Sequence, residues 1–198
     1  MTDANIPELD DETYFKQLTT IAWIVLEWNT LEEALNYATG ALLGLRRRED
    51  HLAVCTRING LDGKQAIINQ LVASFNLEDQ QLRDDIKESL EHVAVCKRHR
   101  DNIAHMRAGF DKEETESVRH RGKIVKVSMK VETLELVKDH LSAASDEVIE
   151  LFNIFSSVRD IRQARSAEDR QRLEVELRGG AFQFQQYRRH RLSLQRLE

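Results

Sequence analysis

A single proline, Pro7, stands in a chain of 198 residues. Proline in a helix interior costs about 3 kcal/mol, because it removes a hydrogen-bond donor and clashes with the preceding turn. Beyond Pro7 no residue forces the backbone out of a helix, and only eight glycines loosen it. Leu, Ala, Glu, Gln and Arg are abundant, and aromatics make up 6% of the chain. Long helices follow, in a mostly α-helical protein large enough for a substantial core.

The apolar spacing predicts where those helices lie. Over 11–45 the stripe runs Ile21, Ile24, Trp28, Leu31, Leu35, Ala38 and Leu42, in three- and four-residue steps. The charged shoulder "RRRED" (46–50) follows, and 51–58 either continues the helix or forms a turn of its own. "NGLDGK" (59–64) reads as a loop, with Asp62 placed to cap a helix over 64–75 that turns Ile67, Leu71, Val72 and Phe75 inward. A helix over 78–106 carries Leu82, Ile86, Leu90, Val93, Cys96 and Ile103. "SVRHRGKIVKVSMKV" (117–131) alternates apolar and polar residues, a period-two pattern that predicts a small β-hairpin. A last long helix spans 132–161 through Leu134, Leu136, Val137, Leu141, Val148, Leu151, Phe152 and Phe155. From 162 the chain is charged and Gln-rich, and its closing stretch follows a Gly-Gly break. The expected architecture is all-α: an antiparallel bundle of about four to five helices with a β-hairpin insertion. The bundle domain covers 1–161, and 162–198 form a charged, aromatic, helical C-terminal extension.

The formal net charge is −5, so the molecule as a whole is no polycation, and any nucleic-acid contact must come from a local basic patch. The two cysteines, Cys55 and Cys96, form no CxxC pair and suit a reducing compartment. The acidic start "MTDANIPELDDE" is neither a signal nor a transit peptide, and no apolar run reaches the roughly 20 residues of a membrane span. These features point to a soluble cytoplasmic protein. No phosphate-binding glycine loop, Ser-His-Asp order or paired zinc motif is present, so no cofactor or metal is expected.

One position breaks the core pattern. With roughly 100° per residue, Arg100 falls in the row of Leu82, Ile86 and Val93. A guanidinium there needs a carboxylate or phosphate partner. Glu32 and Asn29, polar within the first helix, are candidates to hold it. His105 lies roughly 140° further round. Arg98, Asp101 and Asn102 share or flank that edge, and Lys97 and Arg107 add positive charge.

The segment "HVAVCKRHRDNIAHMRAG" (92–109) resembles the signature of HEPN domains, the higher-eukaryote and prokaryote nucleotide-binding superfamily. Their hallmark is R-x4–6-H near the end of a long helix, with a polar residue after the Arg. Arg100 to His105 is the x4 form with Asp101 in the polar slot; Arg98 to His105 is the x6 alternative. "TIAWIVLEWNTLEEAL" (20–35) is similar to the partner helix of such domains, and the element order over about 12–160 also fits. The resemblance implies a metal-independent endoribonuclease acting on single-stranded RNA, a toxin or defence effector with an antitoxin or other protein partner. Arg100 and His105 would be catalytic, Asp101, Asn102 and Arg98 supporting, and Lys97 and Arg107 RNA-binding. It also implies a homodimer in which the 98–107 segments face each other and complete one site. The alternative is a non-catalytic HEPN-like dimer that binds a partner, nucleotide or RNA. Arg107 stands where toxins paired with nucleotidyltransferases often carry Tyr, so regulation by nucleotide transfer to that position is not expected.

Three other patterns are read more plainly. His92, Cys96 and His99 have a legal metal-ligand spacing, but nothing else supplies further ligands, so they read as a core-edge Cys with two solvated histidines. "FQFQQYRRHR" (182–191) has the aromatic and basic residues that could stack on bases, and is read as a tail packing on its own domain or a partner. "RRR" (46–48) and the basic strands (119–130) read as solvated faces.

Overall fold

The computed structural model describes residues 11–58, 60–74, 80–104, 115–120, 123–128 and 130–197. Six helices carry the fold: α1 (Asp11–Leu42), α2 (Arg48–Cys55), α3 (Gly60–Ser74), α4 (Gln80–Ala104), α5 (Val131–Gln163) and α6 (Ala167–Ser193). Between α4 and α5, the segments β1 (Thr115–His120) and β2 (Lys123–Ser128) run antiparallel, with Thr115 opposite Ser128 and His120 opposite Lys123.

The apolar stripes of the long helices meet in one core. Ile24, Trp28, Leu31, Leu35 and Ala38 of α1 join Leu82, Ile86, Leu90, Val93 and Cys96 of α4 and Leu134, Leu141, Val148, Leu151 and Phe155 of α5. Each such side chain contributes about 1.5–3 kcal/mol on leaving water. The bundle is not purely antiparallel. Lys16 pairs with Glu135, and Arg46 bonds Gln163 thirty residues further on, so α1 and α5 run parallel. The intervening α2, α3 and α4 give the chain room to return to its starting end. Both α4 and α6 run antiparallel to α5: Ser89 meets Glu147 and Cys96 meets the His140 carbonyl, while Arg191 meets Glu147 and Gln195 meets His140.

Local chemistry moved three boundaries. The first helix stops at Leu42, where Gly44 takes φ +79°, and α2 forms separately and folds back. His51 anchors α2: it is buried, with Nδ1 3.2 Å from the Tyr37 carbonyl and Nε2 3.1 Å from that of Leu45. Only glycine fits at position 40, since a Cβ there would lie 2.3 Å from His51 Nδ1. The expected loop at 59–64 is mostly helix: α3 begins at Gly60, whose φ of +67° makes the entry, and Asp62 lies in the first turn instead of before it. Of the expected inward residues Val72 is buried and Phe75 lies outside the described residues, while Ile68 takes the fully buried place in preference to Ile67.

Gly179-Gly180 does not break the chain. α6 runs straight through it, capped at its start by Ser166 Oγ, which accepts from the Asp169 amide at 3.0 Å. Two glycines weaken a helix by about 1 kcal/mol each, and tertiary packing offsets this. Gly180 lies against Ile154, and Phe184 one turn later is wholly enclosed in the main core.

Candidate functional site

The C-terminal half of α4 brings Lys97, Arg98, Arg100, Asp101 and Asn102 onto one stretch of helix. Arg100 borders the core as its row predicted. Its guanidinium carbon lies over the Trp28 ring, 5.2 Å from the centroid, and 28% of the side chain reaches solvent. A cation on an indole face gains roughly 0.5–2 kcal/mol. Its carboxylate partner is Asp101: Arg100 Nη1 donates to Asp101 Oδ1 at 2.9 Å, and Lys97 Nζ donates to Oδ2 at 2.5 Å. Arg100 Nε is enclosed and has no hydrogen-bond acceptor among the described residues. Asn29, a candidate holder of Arg100, is exposed.

Burial would raise the Asp101 carboxyl, but Lys97 and Arg100 together outweigh it and hold it below its ordinary range. Arg98 is exposed and Asn102 half-buried. His105 and Arg107 lie outside the described residues. The structure thus brings together Arg100, Asp101 and Lys97, with Trp28 beneath them. This grouping can present one guanidinium edge to an anion while Asp101 fixes the other.

The histidines of α4 are not solvated as the spacing suggested. His92 Nε2 lies 3.2 Å from His140 Nδ1 on α5 and 3.4 Å from Cys96 Sγ, and His140 Nε2 lies 2.7 Å from the Gln195 carbonyl. The partners assign the tautomers. His140 donates from Nε2 to the carbonyl and accepts at Nδ1, where His92 donates. Cys96 donates to the His140 carbonyl at 3.7 Å. Burial, then the Arg191 charge, lowers His92 to about 3, so it stays neutral. Burial pushes the Cys96 thiol up to about 12. A thiol so shielded is no nucleophile. Among the described residues no group of three or more His, Cys, Asp or Glu is placed to hold a metal ion.

A second polar cluster ties α6 to α4 and α5. Arg191 Nε donates to Glu147 Oε1 at 2.5 Å, and Ser89 donates to the other oxygen. Arg188 lies 3.1 Å from Asp85 and also binds Glu88, which lies 3.5 Å from Arg191. Glu147 is 1% exposed, and burial raises its pKa against the pull of Arg191. The aromatic-basic stretch 182–191 is therefore spent partly on internal packing: Phe184 and Arg191 are buried, while Phe182 stays exposed. Sequence reasoning missed Glu147, Arg191 and His140. The available signal was a polar residue on a core row, as Glu147 sits beside Ala144, Val148 and Leu151.

Arg46, Arg47 and Arg48 are exposed. Arg46 meets Arg159 and Arg172 around a surface hollow of about 370 Å³. Arg159 is forked onto Asp160 at 2.8 and 3.1 Å, which spends its charge locally.

The chain matches no protein-family model, no curated protein and no solved structure. Among the described residues no helix is long and apolar enough to cross a membrane.

Proposed function

We propose that this chain is an HEPN-like endoribonuclease acting on single-stranded RNA without a metal, with Arg100 and His105 as its catalytic residues. The observation that carries this reading is the placement of Arg100. A permanently charged guanidinium is held at the rim of the core, on Trp28, with one nitrogen fixed by Asp101 and part of the group open to solvent. Such a group suits the extra negative charge that a phosphoryl group gains in a transition state. In the reaction the ribose 2′-oxygen attacks phosphorus, the bond to the 5′-oxygen breaks, and a 2′,3′-cyclic phosphate and a 5′-hydroxyl result. Histidine takes the proton from the 2′-hydroxyl and returns one to the leaving oxygen. One chain supplies one His105, so both roles call for two copies with their 98–107 segments together, which is the homodimer of this reading. Arg98 and Lys97 flank the site as RNA contacts, with Arg107 beyond them; Asp101 and Asn102 support it. The toxin or defence role, and an antitoxin partner, rest on the resemblance of the 92–109 segment.

One observation favours a second reading, a non-catalytic HEPN-like interaction module. Asp101 already gives Arg100 and Lys97 a carboxylate at 2.9 and 2.5 Å, so the cluster is complete as a structural ion pair. Cleavage of a mixed single-stranded RNA pool in EDTA separates the two. The nuclease reading expects cyclic-phosphate products that fall by about 10²–10³-fold in Arg100→Ala and about 10²–10⁴-fold in His105→Ala. An inactive wild type, with both variants folded and associating as before, would establish the second reading instead.

A further inference from the structure

The outer face of α1 is apolar and has no partner. Phe15 is 67% exposed, Trp23 52%, Leu26 53% and Val25 38%. Thr19, Ala22, Asn29 and Thr30 complete the face and are exposed as well. For four turns, between Glu12 and Glu33, this stripe contains no charged residue. It cannot be the Arg100 side of the helix. At roughly 100° per residue, Trp28, which Arg100 covers, lies about 140–160° round from the stripe.

We infer that this stripe is a self-association surface, and that its occupant is the same stripe of a second copy of the chain. The argument is complementarity under a two-fold axis. An isologous contact requires a patch that fits itself. Two α1 helices crossed antiparallel about an axis between residues 22 and 23 set Ala22 opposite the second copy's Trp23, Thr19 opposite its Leu26, and Phe15 opposite its Thr30. A large apolar side chain meets a small residue at every level, the arrangement by which ridges fill grooves. The absence of charge means that no ion must be desolvated. At the ends the axis brings Glu12 towards Glu33, and Arg48, 2.9 Å from Glu33 in its own protomer, divides that negative charge. The four large side chains expose roughly 400 Å² of apolar surface, about half of the roughly 800 Å² per partner in a stable interface. Apolar patches of this size are uncommon on proteins that remain single.

This surface is independent of the nuclease reading, because it faces away from Arg100. The test is built to keep the two apart. Both natural cysteines, Cys55 and Cys96, are buried, so Ala22→Cys and Ala104→Cys each add a single accessible thiol. Light scattering of the wild type at micromolar concentration should give a dimer. A short bis-maleimide should capture it through Ala22→Cys. Leu26→Asp, at an exposed position, should give a monomer with an unchanged far-UV circular dichroism spectrum. A monomeric wild type overturns the inference. So does a dimer that persists in Leu26→Asp and is captured only through Ala104→Cys, at the end of α4; that outcome would leave the composite-site dimer standing.

Discussion

Burial opposes the charge on Asp101, and two cations restore it. Its carboxyl is held below its ordinary range by Lys97 and Arg100. A depressed carboxylate contributes stability at neutral pH, and that stability is lost as pH falls through its folded value, below the ordinary 3.8. Asp101→Asn should therefore cost about 1–3 kcal/mol in urea unfolding at pH 7, with less of the difference left at pH 3. If Arg100 serves an RNA phosphate, the same variant should bind single-stranded RNA more tightly in a fluorescence titration, because the guanidinium loses its internal partner. A second single-residue constraint lies at Gly40. Gly40→Ala drives a methyl group into the His51 ring and should cost about 1–3 kcal/mol by denaturant midpoint. Combined with His51→Ala, it should cost less than the two changes added, because the clash is then gone. The Arg100 position was legible from the sequence, since an arginine on a core row has to be accounted for. Its partner was not: a neighbour one residue along is reached only when the side chain bends back over Trp28.

At the scale of elements, α6 teaches most. Its sequence is charged and carries a Gly-Gly pair, and read alone it promises a weak helix after a break. It is held by burial of Phe184 and by Arg191 and Arg188 on Glu147, Asp85 and Glu88. Phe184→Ala should destabilise the protein by about 3–5 kcal/mol in urea unfolding. Arg191→Ala should cost a similar amount, since it leaves Glu147 buried without its guanidinium. Replacing both members of that pair, as Arg191→Met with Glu147→Leu, should restore most of the loss. If the single and double variants unfold alike, the pair does not hold the helix. The boundaries at 42, 60 and 167 depended on positive-φ glycines, a buried histidine and a serine cap, which act through local geometry and leave little trace in apolar periodicity.

For the whole molecule, the neutral relay of His92, His140 and the Gln195 carbonyl predicts a pH dependence. His92 has a folded value of about 3 against an ordinary 6.5. Between those values the unfolded chain binds a proton that the folded chain refuses. Stability therefore falls as pH drops below about 6.5, by up to roughly 1.4 kcal/mol per pH unit, and is indifferent to this group above it. His99, lowered mainly by burial, acts in the same sense. Urea midpoints measured from pH 7 to pH 4 should slope accordingly, and His92→Gln should flatten the slope whatever it does to the midpoint at pH 7. An identical slope in the variant would place the acid sensitivity elsewhere.

The sequence by itself determined that the protein is helical and which faces of its long helices are buried. Scarce breakers and a 3.6-residue apolar rhythm are properties of the chain, expressed before any two helices meet. Tertiary structure alone decided the parallel course of α1 and α5, the locking of α6 through buried ion pairs, and the joining of His92 to His140 across 48 residues. It also decided that the Phe15–Leu26 stripe of α1 stays uncovered. The physical reason is the same in each case. Whether a polar group is satisfied, or an apolar one left bare, depends on what stands opposite it, and that is fixed only when distant segments pack.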